Sequence, residues 1–242
     1  MDTLAYKELQ DKYQLTFLAM KKNKSKVPNV DQIAARLQRL ALKGQYKKGS
    51  DIAKKILKTY PEDFYFTYQY AKLLGDWADD LPIGRQKKMK MKSAQILKPL
   101  TRKLSGKPAG MRFGVCLNYY YQTFSLHSMY KYGKRFMRTD KKLGLYAQAL
   151  GAGLLAEENF NKSLQTRAKR WAGSAVVHWN KYGLKGETYY FPFYSLAMSW
   201  VILDQPDKAL AHLKIAAKLS QRSLKCSEFE KLYQLIQADL RK

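Results

Sequence analysis

Acidic residues are scarce in this sequence: 19 Asp and Glu stand against 45 Lys and Arg, a formal net charge of +26 over 242 residues. A surface with that imbalance carries a positive field, which favours phosphate, acidic protein or anionic lipid as a partner. Cysteine is scarcer still. Cys116 and Cys226 are the only two and lie far apart, which argues against a disulfide framework and suits a reducing, cytoplasmic setting. Long apolar runs are missing as well. The first thirty residues interleave charged and apolar positions, and no later segment reaches the length of a bilayer span, so the chain reads as soluble and unexported by the common route. The three histidines, His127, His178 and His212, have no cysteine or carboxylate at metal-ligand spacing, so neither a metal site nor a cofactor is expected. There is no glycine-rich phosphate loop and no GxSxG elbow. "LGAGLLAEEN" follows no strand, so its small residues suit helix contact better than nucleotide binding. The paired acids of "EEN", Glu157 and Glu158, lack a partner cluster. Together these absences point away from an enzyme.

What the chain does have is apolar content of 46%, enough for a continuous core, recurring at helical spacing nearly everywhere. Glycine and proline fall mainly between the periodic runs, so the chain is expected to be all-α. A first helix is expected over about Thr3 to Lys22, followed by the polar linker "NKSKVPN". Asn29 and Gln32 have the spacing of an N-cap and its reciprocal partner, which starts the next helix at about Val30. Further breaks are expected at Gly44, at Tyr60 and Pro61, in "DDLPIG", in "SGKPAG", near Asp140, at "EEN", in "GLKGE", and at Gln205 and Pro206. A long helix is expected from about Asn161 to Tyr182.

Successive helical hairpins call for a search for internal periodicity. "FYSLAMSWVILDQPDKALAHLKIAAKL" carries Phe193, Leu196, Ala197 and Trp200, then Ala209 and Leu213: large, large, small and aromatic positions followed by a small-x3-large pair. "GQYKKGSDIAKKILKTYP" has Gly44, Tyr46, Gly49, Ala53 and Pro61 at the spacing of the second half of that motif. This pattern resembles the tetratricopeptide-repeat family. In its register Leu37, Ala71, Leu117, Gly151 and Ala197 hold the small position, at separations of 34, 46, 34 and 46 residues against a family period of about 34. The longer steps hold extra residues around "DDLPIGRQKKMKMK" and in the helix after Asn161. Arg36, Leu37 and Leu117 depart from the family's preferences, so the repeats are degenerate. The resemblance implies a right-handed α-solenoid of about five helical hairpins over residues 30–220. Residues 1–29 would precede it as an N-terminal helix and linker, and 221–242 would follow as a capping helix with a polar outer face.

"CLNYYYQTF" raises the question of a base-stacking platform, but neighbouring helical residues project about 100° apart, so Tyr119, Tyr120 and Tyr121 cannot share one face. The repeat register puts Tyr120 in the packing position beside Phe113 and Cys116, and turns Asn118 and Tyr121 toward the groove of the implied solenoid. The corresponding groove positions are Tyr68 and Lys72, Gln148, and Tyr194 and Met198. Asn118 matches one position of the carboxylate clamp of some relatives, whereas Gly114 and Ala149 stand where that clamp needs polar or cationic groups, so the clamp is not carried over.

Between Asp80 and Asp140 there is no acid at all, while 14 cations occur, among them Arg85, Lys87, Lys88, Lys90, Lys92, Arg112, Lys134 and Arg135. Such a cluster cannot neutralise itself through intrahelical pairs. Met91, Ala94, Ile96, Leu97 and Leu100 would anchor a helix here, with Lys87, Lys88 and Lys90 projecting outward. The first reading of function is therefore a non-enzymatic scaffold holding an acidic protein or peptide in a basic, tyrosine-bearing groove. Sequence-tolerant binding of RNA or DNA by the basic surface of residues 85–138 is the alternative. An anionic membrane ranks third, because the cations are spread over several helices.

Overall fold

A computed structural model describes residues 25–79, 81–187, 190–220 and 227–241. The helix expected over Thr3–Lys22 lies outside them. Among the described residues the chain is all-α, with eleven helices and no strand. They are α1 (Val30–Leu42), α2 (Tyr46–Thr59), α3 (Phe64–Asp79), α4 (Ile83–Arg102), α5 (Ala109–Gln122), α6 (Leu126–Phe136), α7 (Lys141–Asn161), α8 (Gln165–Tyr182), α9 (Phe191–Ile202), α10 (Pro206–Ser220) and α11 (Ser227–Leu240). None is long and apolar enough to cross a membrane. The chain divides into two compact units, one holding described residues 25–125 and the other residues 126–241.

Most breaks fall where turn residues predict them. Asp140 caps α7, its Oδ1 accepting from Leu143 N at 2.9 Å. Two expectations fail. Asn29 does precede α1, but it sits in the left-handed region (φ 51°) and its side chain makes no capping bond. "EEN" is not a turn either: Glu157 to Asn159 lie inside α7, which runs on to Asn161. The expected helix start at Asn161 becomes a turn at Lys162–Leu164, because Glu157 and Asn159 are half-buried and Asn159 Nδ2 bonds the carbonyl of Leu155 at 2.7 Å, as a helical residue can.

One turn recurs four times. After α1, α5, α7 and α9 a single residue takes positive φ: Gly44 (67°), Phe124 (55°), Ser163 (57°) and Asp204 (56°). Each donates its N–H three residues back, and the following residue donates five back: Gln45 N to Leu40 O at 2.8 Å, and Ser125 N to Tyr120 O, Leu164 N to Asn159 O and Gln205 N to Trp200 O, each at 2.9 Å. This is the Schellman termination, which satisfies carbonyls left open at a helix end and reverses the chain tightly. The same reversal thus ends four odd-numbered helices, α1, α5, α7 and α9.

Packing within each unit follows the same alternation. In the N-terminal unit, sequence neighbours pack together and α3 also touches both α1 and α5; in the C-terminal unit, α9 also touches both α7 and α11. Within the N-terminal unit α1, α3 and α5 thus stack in turn, and within the C-terminal unit α7, α9 and α11 do so. Leu37, Ala71, Leu117, Gly151 and Ala197 fall on α1, α3, α5, α7 and α9 in turn. The N-terminal core gathers Phe66, Tyr70, Leu73 and Leu74 of α3 with Val27, Leu37 and Ala53. The C-terminal core joins Ala197, Met198, Val201 and Ile202 of α9 to Ala209, Leu213 and Ala217 of α10 and to Phe229, Leu232 and Ile236 of α11.

Candidate functional site: groove positions and cationic helices

The seven groove residues all lie on odd-numbered helices, but they do not form an open lining. Tyr68, Lys72, Asn118 and Tyr121 belong to the N-terminal unit, and Gln148, Tyr194 and Met198 to the C-terminal one. Tyr68 is buried in a cluster with Ala71, Leu97, Leu100 and Val115. Its hydroxyl accepts from Asn118 Nδ2 at 3.2 Å, and a Cβ on Gly114 would lie only 2.7 Å from that oxygen. Asn118 Nδ2 also donates to the Gly114 carbonyl at 2.8 Å. Gln148 is buried, with Nε2 2.7 Å from Met137 Sδ. Met198 is a core residue beside α11, and the half-buried Tyr194 ring lies 5.9 Å from that of Phe229. Burial, reinforced by the nearby Glu157 carboxylate, pushes the Tyr194 phenol up to about 12.

Three of the seven, Tyr68, Gln148 and Met198, are thus buried, and Asn118 and Tyr194 are half-buried. Tyr68 meets α5, and Tyr194 and Met198 meet α11, each facing the odd-numbered helix that follows. Packing within each unit covers Tyr68 and Met198, two of the positions that the register turned toward a ligand. Lys72 and Tyr121 are half-buried.

The tyrosine run divides as helical geometry requires. Tyr119 packs against the cluster of Leu97, Leu100 and Val115. Tyr120 is half-buried, its ring 5.7 Å from that of Tyr119 and tilted by 58°. Tyr121 receives a cation: Lys90 Nζ lies 4.4 Å from its ring centroid and 3.4 Å from its hydroxyl.

That contact overturns the expectation for Lys90. At 4% exposure it does not project outward. It stands three, four and seven residues before Ser93, Ala94 and Leu97, all buried, so helical periodicity carries its stem onto the packed face of α4. The ammonium ends beside Tyr121, 5.2 Å from the Phe124 ring. Arg85, Lys87, Lys88 and Lys92 are exposed on α4 as expected, joined there by Lys98 and Arg102. Arg112 is half-buried on α5, and Lys134 and Arg135 are exposed on α6 in the other unit.

A larger pattern emerges when charge is read by helix. The even-numbered helices carry 22 Lys and Arg against two acids, Asp51 and Asp207; the odd-numbered helices carry seven cations against eight acids. Net charge is +20 on the even set and −1 on the odd set. Of the 22 cations all but Lys90 are exposed. Some meet an acid: Lys54 lies 3.6 Å from Asp51, and Lys169 pairs with Asp204. Arg85, Lys87, Lys88, Lys92, Lys98 and Arg102 make no ion pair among the described residues. Inspecting charge over residues 85–138 alone missed this alternation, although α2, α8 and α10 show it too; charge counted by hairpin arm was the signal that could have found it.

The histidines are spread over α6, α8 and α10. His127 meets the edge of Trp171 at 5.5 Å, while His178 and His212 bond the carbonyls of Ser174 and Lys208, four residues back. Among the described residues no group of three or more His, Cys, Asp or Glu is placed to hold a metal. No protein-family model matches the chain, and no curated protein matches it.

Proposed function

We propose that this chain is a non-catalytic scaffold of tetratricopeptide-like hairpins that holds an acidic macromolecule on its even-numbered helices. The carrying observation is the division of charge, +20 on one helix set and −1 on the other. Solubility alone calls for mixed charges, whereas an acid-poor, ion-pair-poor surface meets an external anion at low electrostatic cost. Four equivalent reversals, and small-position residues on successive odd-numbered helices, support a right-handed array of about five hairpins with α11 as its cap. The reading places the partner on the even-numbered helices and not in the tyrosine-bearing groove, since Tyr68, Gln148 and Met198 of that groove are buried.

The test is retention on immobilised heparin. Lys87→Gln/Lys88→Gln/Lys92→Gln on α4 is compared with Arg36→Gln/Arg39→Gln/Lys72→Gln on α1 and α3, which removes the same charge from odd-numbered helices. The first variant elutes at clearly lower salt than the second. Equal elution by the two would show that net charge alone sets retention, and the reading would fail.

A further inference from the structure

We infer that the acidic macromolecule is double-stranded nucleic acid, held along α4 through its sugar–phosphate backbone without reading of bases. The inference rests on the scaffold reading above and names its partner.

Consider first what α4 presents. Its packed side is formed by Lys90, Ser93, Ala94, Leu97 and Leu100, all buried. At 100° per residue, Arg85, Lys87, Lys88, Lys92, Lys98 and Arg102 spread over the remaining arc of about 160°, and at 1.5 Å per residue they extend about 26 Å along the axis. Six cations on a rigid rod, with no acid anywhere on the helix, match a line of phosphates spaced along a stiff backbone.

An acidic protein would need more than charge. Protein interfaces draw their affinity from a desolvated centre of aromatic, Met and Arg anchors, and they are depleted in lysine. Among the described residues, the exposed large apolar side chains on even-numbered helices are Met91, Val177 and Ile215, one each on α4, α8 and α10. Such isolated side chains form no interface centre. Lysines, moreover, make up 17 of the 22 even-helix cations. A lysine ammonium is a compact charge with rotatable donors, suited to phosphates in many registers and poor at orienting a single carboxylate pair.

A single strand is disfavoured by a different observation. Sequence-tolerant single-strand binders stack bases on exposed aromatics. Among the described residues Phe124, at 52% exposure, is the one exposed Phe, Tyr or Trp; it lies on the turn after α5 with Lys90 Nζ 5.2 Å from its ring, and one ring is no platform for successive bases. A duplex keeps its bases stacked on each other and asks only for cations.

Fluorescence anisotropy of the full chain tests this with four probes: a DNA duplex and an RNA duplex of matched random sequence, one of their single strands, and polyglutamate of equal total charge. Either duplex binds more tightly than the single strand and polyglutamate, independently of sequence, and the tighter duplex names the backbone carried. The slope of log affinity against log salt falls by about 2.7 in magnitude when Lys87, Lys88 and Lys92 become Gln, at about 0.9 per phosphate contact. Tighter binding of polyglutamate overturns the duplex and leaves an acidic protein as occupant of the same scaffold. Tighter binding of the single strand, weakened by Phe124→Ala, overturns it in favour of base stacking. Failure to bind any of the four overturns the scaffold reading as well.

Discussion

Replacing Asp63 removes the carboxylate that hydrogen-bonds Ser25 and Lys26 to the start of α3. Its carboxylate is 5% exposed and accepts three hydrogen bonds: Oδ2 from Ser25 Oγ at 2.6 Å and Lys26 N at 2.7 Å, and Oδ1 from Phe66 N at 2.8 Å. The last is the N-cap bond of α3, worth about 1 kcal/mol. The other two are charge-assisted, and their loss leaves a part-buried Lys26 N–H without its acceptor, so Asp63→Ala destabilises by about 3 to 4 kcal/mol in total. Asp63→Asn keeps an acceptor for Phe66 but turns an NH2 toward Lys26 N, donor against donor, and costs about 2 kcal/mol. Ser25→Ala costs about 1 kcal/mol, and it costs less in the Asp63→Ala background because the two share a bond. Urea denaturation followed by the fluorescence of Trp77, the tryptophan of this unit, gives the energies, and amide exchange at Lys26 and Phe66 localises them. A loss below about 0.5 kcal/mol for Asp63→Ala, the range of ordinary surface changes, refutes the clamp.

Two further expectations concern packing and charge. Gly133→Ala on α6 puts a Cβ 2.7 Å from Gln148 N and 2.8 Å from Gly144 O, backbone atoms of α7 that cannot rotate away, and lowers stability by about 2 to 3 kcal/mol; Gly173→Ala on α8, with nothing within 4 Å, raises it by up to about 1 kcal/mol, both read from denaturation curves. Burial holds the Glu157 carboxyl above the ordinary carboxylate value, with Lys231 opposing the shift. A raised acid value makes the folded state pay for its charge, so stability falls as pH rises from the ordinary carboxylate value through the raised one. Glu157→Gln abolishes that fall and raises Tm on the alkaline side of the window while leaving it unchanged on the acid side; an unaltered Tm profile against pH counts against the assignment.

Helix number and helix ends were largely legible because they depend on near neighbours. Apolar residues at helical spacing mark every described helix, and turn chemistry at Gly44, Asp140 and Pro206 marks where several stop or start. Apart from the Asn29 cap, the failures share a cause: each depends on a residue distant in sequence. Tyr68 reads as groove-facing until Asn118, fifty residues on, reaches its hydroxyl. Lys90 reads as one more surface lysine until α5 brings Tyr121 over its ammonium. Glu157 reads as part of a polar turn, because nothing adjacent in the chain shows that Tyr194 and Lys231 come to stand near it. The family-like spacing put its five small positions on α1, α3, α5, α7 and α9 without showing which side chains of those helices are buried.

The division of charge between helix sets has two possible physical sources, and only one explains the data. Odd-numbered helices such as α3 and α9 are packed against both their sequence neighbours and the adjacent first arms, so a cation there would lose hydration, and their low count follows from burial. Burial says nothing about sign on the even-numbered helices. Where water reaches a helix, Asp and Glu are as well solvated as Lys, and mixed signs would even stabilise it through pairs one turn apart. Helices α4, α6 and α8 nevertheless carry 14 cations and no acid. Self-repulsion on that scale opposes folding, and salt screens it only in part. These helices forgo pairs available at almost no structural cost, so their informative feature is the missing acid, and the proposal of an external anion rests on it.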